Sequence, residues 1–520
     1  MKLEKSKNAK RNIIYGFINK FITMLLPFLI RSVIIYKLSA AYLGLNSLFS
    51  SILQVLNLTE LGFSNAVVFS MYKPIAENDT KSICALLNFY RKVYRVIGII
   101  ILFIGLSLMP FLDKLISGSY PQDINIYVLY LCYLGNTVLS YLLFAYKNAL
   151  LNAHQRTDII SNINTISLGG MYLVQIIVLF ITKNYYLYVV MMPFFTIINN
   201  LLIAIISKRK YPAYYCNGNV SKKQIGNIKK QVAGLLVTKI CTVSRNSFDS
   251  IFVSAFLGLT ITAMYGNYYY IMNAIIAILT VVSNGMLAGV GNGIVTETKE
   301  KNYQDLRKIN FVYMWFSGWC TICLLCLYQP FMEVWVGNDL MFPFGIVILF
   351  CIYFYSLEMG VVRSIYSDGA GLWWENRYRA VFEAICNVIL NYILGKYFGV
   401  YGIIIATLLS ILVVNFGFGS QIVFKYYFRN GKIRQYFTDH GKYAMITCFI
   451  AFITYSFCNR LTIAKGIVAL IVRFLICIFI PNILYIILYC KTKMFKISIP
   501  WLMNIFHLQK LVPILFKNRK

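Results

Sequence analysis

Charged residues, acids and histidine are scarce in this 520-residue chain. Asp, Glu, Lys and Arg together make up 13% of it, and only 18 residues are acidic. Because soluble proteins carry about 25% charged residues, a soluble multidomain enzyme is excluded. The three histidines fall in predicted loops or in the tail, and no HExxH motif, Walker A motif or metal-spaced Cys/His set occurs. We therefore expect no enzyme activity, no cofactor, no metal site and no direct ATP hydrolysis.

The placement of the cysteines in the sequence does not indicate a disulfide framework. The 13 cysteines lie mostly in apolar runs, where cysteine behaves as a small hydrophobic residue. Cys458 alone falls near a predicted external surface, and it has no external partner there. Cys320, Cys323 and Cys326 recur at helical spacing inside an apolar run, which predicts core packing.

Long apolar runs dominate what is present. Apolar residues make up 59% of the chain, and a membrane-spanning helix needs about 20 mostly apolar residues. We predict an all-α integral membrane protein with fourteen transmembrane helices, at about 13–36, 45–71, 93–110, 124–150, 159–182, 185–206, 232–256, 262–290, 309–328, 341–362, 379–398, 400–424, 441–458 and 466–490.

The positive charge indicates orientation. Lys and Arg number 49, for a formal net charge of +31, and cytoplasmic loops of membrane proteins collect such residues. With the N-terminus inside, few cations fall in external segments: Lys37, Lys114, Lys183, Lys396, Arg460 and Lys465. This distribution predicts cytoplasmic N and C termini and a multi-pass topology, and it removes the reason to expect a nucleic-acid partner.

A faint internal repeat divides the chain. Both halves begin with a basic segment and a helix that carries a lysine two turns in, Lys20 or Lys239, which favours two related lobes. The predicted parts are a six-helix lobe (1–206), a basic cytoplasmic linker (207–230), a second six-helix lobe (231–428), an extra transmembrane pair (429–490) and a basic amphipathic tail (491–520). The tail has two open placements: on the membrane surface against anionic lipid, or packed on the cytoplasmic ends of the bundle.

Ionisable residues inside the predicted spans form the candidate site, because such residues are costly in lipid and usually face a polar interior. Lys20 and Arg31 are eleven residues apart in the first helix, which places them on one face. The full set, from the first, seventh and second helices, is Lys20, Arg31, Lys239, Arg245, Asp249 and Glu60.

The four cations of this set favour an anionic substrate such as a pyrophosphate, held in a central cavity. The alternative for Lys20 and Lys239 is that their side chains reach the inner membrane surface. Arg31 has the same alternative at the outer surface. Arg245 instead has the alternative of a structural pair with Asp249, four residues on.

For four further ionisable residues, a structural role or a place at the membrane boundary is the alternative to a functional role. Glu60 is a candidate for binding a coupling ion or for neutralising a cation, against a protonated structural carboxyl. Glu358, Glu383 and Arg473 lie close to the ends of predicted spans, which favours side chains that reach the aqueous boundary.

The N-terminal region resembles a known family. Residues 8–98 contain YLGLNSLFSSIL, LTELGFSNAVVFSMYKPIAEND and NFYRKVYRVIG, which resemble the start of Wzx-type oligosaccharide flippases. These polysaccharide-biosynthesis transporters belong to the MOP superfamily, with the MATE exporters and the lipid II flippase. The predicted number of spans and the charge layout extend the resemblance over nearly the whole chain.

The resemblance implies a flippase that moves undecaprenyl-diphosphate-linked oligosaccharide repeat units from the inner to the outer leaflet of the bacterial cytoplasmic membrane, for capsule or other surface-polysaccharide assembly. It implies alternating access of two lobes around a cationic cavity, with the four intramembrane cations in that role. By analogy with relatives, a coupling cation (H⁺ or Na⁺) is expected, with Asp249 and Glu60 as candidates. Membrane lipid and the polymerase and glycosyltransferases of the same pathway are the other expected partners.

Two other functions stay open on the residues alone. A MATE-like drug or cation antiporter would share the fold, but the cationic balance of the spans disfavours it. A membrane polysaccharide polymerase or glycosyltransferase usually needs a large external loop with acids, Arg or His, and the predicted external loops are short and free of histidine.

Overall fold

Backbone hydrogen bonding explains why so apolar a chain folds as helices, since in lipid every N–H and C=O must find its partner within the segment or in a closed sheet. The computed structural model describes residues 5–57, 63–429, 432–460 and 466–505, and all regular structure in these ranges is helical. Glu60 lies outside the described residues. The side chains of Lys239 and Arg245 lie outside the described part as well.

The described residues contain a continuous succession of α-helices. They are α1 (Lys5–Lys37), α2 (Ala40–Leu56), α3 (Phe63–Ala76), α4 (Thr80–Leu108), α5 (Ile126–Leu142), α6 (Lys147–Ala153), α7 (Thr157–Thr182), α8 (Tyr185–Lys210), α9 (Lys222–Leu257), α10 (Leu259–Thr296), α11 (Lys299–Val336), α12 (Phe344–Met359), α13 (Val361–Gly369), α14 (Trp373–Leu409), α15 (Gly419–Val423), α16 (Ile433–Arg460), α17 (Ile467–Tyr489) and α18 (Lys493–Ile505). Two 3₁₀ turns, Met109–Leu115 and Asn338–Leu340, and two π-helical segments, Ser410–Phe418 and Phe424–Phe428, join some of them.

Ten helical segments among the described residues are long and apolar enough to cross a membrane, and an eleventh results if the pair α5 and α6, bent by 54°, is one span. The segment Trp373–Phe428 counts once in that number, yet its helix breaks at Gly399, where φ is 57° and ψ is −134°. That break lies between the predicted spans 379–398 and 400–424. The predicted all-α architecture is confirmed, whereas fourteen spans and cytoplasmic termini stay predictions.

The first of two compact units covers Met1–Gly266. In it α1 packs along α7, and α2 packs against α4, α5 and α9. Leu45, Leu48 and Phe49 of α2 are fully buried at the centre of this unit's core. The apolar face of α2 therefore anchors the helices that carry the polar residues described below.

The second compact unit covers Asn267–Lys520 and is organised around α11, which packs against α12, α16 and α17. Cys326, Cys458 and Cys477 are buried in its core, with their sulfur atoms within 4.8 Å of one another. Cys326 is packed in the core as predicted, and Cys458, which the sequence placed near an external surface, is packed there too.

The division between the two units falls inside α10, later in the chain than the predicted start of the second lobe at residue 231. The lobe, linker and helix-pair boundaries read from the repeat stay predictions.

Part of the basic tail is packed on the protein. Phe495, Ser498 and Ile499 of α18 are buried, and the Phe495 ring stacks on Trp315 of α11 with centroids 6.0 Å apart. Of the two placements that the sequence left open, α18 therefore takes the packed one. Residues 506–520 lie outside the described residues.

Candidate functional site

The two predicted cations of α1 lie in different environments. Lys20 is exposed, whereas Arg31, three turns further along the same helix, is half-buried. A Cβ placed on Gly266 of α10 would lie 2.8 Å from Arg31 Nη2 and 3.0 Å from Ser47 Oγ of α2. Residues of α1, α2 and the start of α10 therefore meet at the Arg31 guanidinium, and Gly266, which has no side chain, makes room for it.

Asp249, the acid predicted in the seventh span, is buried in the same unit, with 1% of its surface exposed. It lies on α9 and accepts a hydrogen bond from the Tyr265 hydroxyl of α10 at 3.1 Å. Two residues earlier on α9, the Ser247 hydroxyl donates to Gln54 Oε1 of α2 at 3.2 Å. Because Tyr265 and Gly266 are consecutive, α10 positions both the acid and the Arg31 guanidinium.

A chain of tyrosine hydroxyls extends the polar interior of the first unit. Tyr133 donates to Asn46 Oδ1 at 3.0 Å and shares a hydrogen bond of 3.2 Å with Tyr185. Tyr185 in turn donates to the Tyr42 carbonyl at 3.1 Å and stacks on Tyr188. Such bonds satisfy polar groups that would otherwise be costly to bury, so hydroxyls and amides contribute to the polar interior of this part of the unit.

The second unit contains a buried charged network that sequence reasoning missed. Arg363 of α13 is 2% exposed and Glu383 of α14 is 3% exposed. Arg363 Nη2 donates to Asn415 Oδ1 at 3.0 Å, and Asn415 Nδ2 donates to both Glu383 oxygens, at 3.0 and 3.2 Å. Arg379 closes the network with an ion pair to Glu383 at 2.7 Å. We call these four residues, Arg363, Arg379, Glu383 and Asn415, the unit-2 network.

Arg363 fits inside the protein because the backbone of two glycines approaches its guanidinium closely. A Cβ added to Gly419 would overlap Arg363 Nη1, and one added to Gly360 would lie 3.0 Å from Nη2. Small residues on two sides therefore form the cradle of this guanidinium. The Glu383 carboxylate pairs directly with Arg379 and is linked to Arg363 through Asn415, which compensates charges that would be costly if buried alone.

The sequence prediction for Glu358 and Glu383 was wrong. Both were expected to reach the aqueous boundary, but each is 3% exposed, and Glu358 accepts a hydrogen bond from the Tyr313 hydroxyl at 2.5 Å. The four-residue spacing of Arg379 and Glu383 was a signal for an intrahelical pair. The bond from Arg363 to Asn415 joins residues 52 apart, for which no sequence pattern exists.

Comparison with known proteins identifies the fold. No protein-family model matches the chain, and no curated protein sequence does. Among solved structures, the lipid II flippase MurJ in an inward closed conformation matches with a TM-score of 0.65 at 16% identity, covering 92% of this chain and 99% of that one. An inward-facing multidrug resistance MATE family transporter of the MOP superfamily matches with a TM-score of 0.63 at 13% identity, covering 79% and 97%.

A third match comes from Pyrococcus furiosus, a MOP superfamily transporter described by the reverse polarity of its binding pocket. It has a TM-score of 0.53 and 14% identity, and the match covers 80% of this chain and 96% of that one. The chain therefore has the fold of MOP superfamily transporters. At these identities the likeness concerns the fold alone, and it does not separate a Wzx-type flippase from other members.

Proposed function

We propose that this protein is a flippase that moves an undecaprenyl-diphosphate-linked oligosaccharide from the inner to the outer leaflet of the bacterial cytoplasmic membrane, for capsule or surface-polysaccharide assembly. The observation that carries the proposal is the half-buried Arg31 side chain on an apolar helix, in a fold that matches a lipid II flippase over 92% of the chain. A guanidinium pairs well with phosphate oxygens because its donors match their geometry.

The proposed mechanism is alternating access by two lobes around a site near the middle of the membrane. The diphosphate is held by Lys20, Arg31, Lys239 and Arg245, while the polyprenyl tail stays in lipid. A coupling cation, H⁺ or Na⁺, would act at Asp249 or Glu60. The buried Asp249 carboxyl, hydrogen-bonded by Tyr265, supports Asp249 as the site to test first.

Charge selectivity is the part of the proposal that the fold leaves free. The Pyrococcus furiosus transporter is described by a pocket of reverse polarity that suggests a different function. A MOP fold is therefore compatible with pockets of more than one polarity, and the charges of this chain have to be judged by themselves.

The deciding experiment is flipping of a purified lipid-linked oligosaccharide by the full-length protein in proteoliposomes. We expect the Arg31→Gln variant to lower the flipping rate by roughly 10- to 150-fold, since a hydrogen bond to a charged group contributes about 1.5–3 kcal/mol. Lys114→Gln, at an exposed lysine in the 3₁₀ turn after α4, is the matched control and should flip at the wild-type rate. Equal rates for wild type and Arg31→Gln would reject Arg31 as a site residue, and a wild type that moves no lipid-linked sugar would reject the function.

A MATE-like cation antiporter is the second candidate, because a buried carboxylate on α9 suits a cation as well as a proton. Extrusion of a cationic dye by the same proteoliposomes under a pH or Na⁺ gradient distinguishes the two. Dye transport that is lost in Asp249→Asn, without movement of lipid-linked sugar, would favour the antiporter. The flippase proposal expects the opposite pattern.

A further inference from the structure

A basic pocket lies at one end of the second unit, where α11 and α16 begin and where α17 passes into α18. It has a volume of about 660 Å³. We infer that this basic pocket binds the headgroup of an anionic phospholipid of the surrounding membrane, with the acyl chains along its apolar wall. The inference goes beyond the proposed function, since the occupant is a resident lipid and not the transported substrate.

The basic pocket is lined by more cations than acids, as an anionic headgroup requires. The lining includes six cations and two acids: Lys301, Arg307, Lys308, Lys432, Lys442 and Lys493 against Asp305 and Asp439. The two acids are already engaged by lining cations: Asp305 by Lys308 at 2.7 Å, and Asp439 by Arg307 at 2.9 Å. The excess of positive charge therefore faces a cavity large enough for a phosphate group.

The apolar residues of the lining follow its cations along both α11 and α16. On α11, Phe311 follows Lys308 by three residues, and on α16, Ile446 follows Lys442 by four. On both helices the lining cation therefore comes about one turn before the lining apolar side chain. Both helices, like α17, are long and apolar enough to span a membrane, so this layer order matches the order of headgroup and acyl chain in a leaflet.

The adjoining helix α18 presents an exposed apolar side chain beside the pocket. Its buried side faces α11, while Ile497, which also lines the pocket, is 45% exposed. Lys308 extends over the Trp501 ring at 5.3 Å, and tryptophan favours the membrane–water interface. Basic pockets between helices near the membrane surface are known to hold anionic headgroups. A soluble phosphate would not need the apolar wall or the exposed apolar side of α18.

The test is lipid retention by the purified full-length protein, measured by native mass spectrometry and by thermal unfolding. The probes are phosphatidylglycerol, phosphatidylcholine with the same acyl chains, and inorganic phosphate. We expect wild type to retain phosphatidylglycerol in preference to phosphatidylcholine and to be stabilised by it. The double variant Lys442→Gln, Lys493→Gln should bind phosphatidylglycerol roughly 10- to 30-fold more weakly, from the contribution of each basic residue near anionic lipid.

The control double variant is Lys183→Gln, Lys299→Gln, which removes the same charge from two exposed lysines that do not line the pocket. It should bind like wild type. An equal loss in this control would attribute binding to general electrostatics and overturn the site. Stabilisation by inorganic phosphate as strong as by phosphatidylglycerol would indicate a soluble anion, and no preference for phosphatidylglycerol would reject the inference.

The result is separable from the transport assay. Lipid retention is measured without flipping, so a protein that retains phosphatidylglycerol but moves no lipid-linked sugar would contradict only the proposed function. A protein that flips the substrate but shows no preference for phosphatidylglycerol would contradict only the basic pocket.

Discussion

In each compact unit an arginine side chain lies directly against a glycine, but the two arginines are buried to different degrees. In the first unit Arg31 is half-buried beside Gly266. In the second unit Arg363 is 2% exposed beside Gly419, and it is tied through Asn415 to Glu383. A position inside an apolar helix does not by itself mark a binding residue. The protein encloses Arg363, whereas Arg31 is only half-buried, and the role of Arg31 as a substrate-binding cation stays a proposal.

The two units also satisfy their buried polar groups in different ways. Around α2 the first unit uses tyrosine hydroxyls that donate to amide and carbonyl oxygens. In the second unit Glu383 pairs with Arg379 and accepts hydrogen bonds from Asn415, which itself accepts one from Arg363. Because removing one member of a buried ion pair leaves the other charge uncompensated, the second unit should be the more sensitive of the two to substitutions that change charge.

The largest expected effect comes from Glu383→Ala. This substitution removes the carboxylate that pairs with Arg379 and accepts hydrogen bonds from Asn415, and we expect a loss of about 3–5 kcal/mol in the free energy of unfolding. Thermal unfolding and the yield of folded protein in detergent measure it. Glu300→Ala, at an exposed acid in the first turn of α11, is the control and should change stability little. A Glu383→Ala protein as stable as the control would show that the unit-2 network is not structural.

A smaller effect should separate the two glycines. Gly419→Ala drives a Cβ into Arg363, which is enclosed and has no room to move, so we expect a loss of about 1–3 kcal/mol in stability. Gly266→Ala meets the end of Arg31, a half-buried and flexible side chain, so stability should fall by less while the flipping rate falls. Parallel unfolding and flipping assays compare the variants. Equal losses of stability in the two variants would show that Arg31 is enclosed as tightly as Arg363.

The smallest effect concerns pH and the first unit. His154 follows α6, packs against the Tyr211 ring and is buried, which lowers the pKa of the imidazole below its usual value of about 6.5. The unfolded chain then binds a proton more readily than the folded protein. The stability that this group contributes is full above about pH 6.5 and is lost as the pH falls toward its folded-state pKa, by at most ~1.4 kcal/mol per pH unit.

Thermal unfolding from pH 8 to pH 5 tests the histidine against His154→Phe, which keeps an aromatic ring but cannot titrate. We expect the variant to lose less stability on acidification than wild type. The same slope in both proteins would assign the pH dependence to other groups.

Composition and periodicity predicted the helical class and the long apolar segments, and they singled out Arg31 and Asp249 as site residues, which stays a prediction. They failed for Glu358 and Glu383. A position close to the end of a span suggested access to water, but Tyr313 and the unit-2 network enclose these carboxylates. The tail was undecided for a similar reason, because an amphipathic helix such as α18 has the same pattern whether its apolar side meets lipid or α11.

The sequence by itself determined that this protein is built of apolar helices, since hydropathy and backbone hydrogen bonding act within a segment and need no partner. Only the tertiary structure decided which charges are buried together. Arg363 and Asn415 are 52 residues apart and meet because α13 packs against the helical segment around Gly419. Burial and pairing depend on what neighbouring helices place around a side chain, and a linear pattern carries no record of those neighbours.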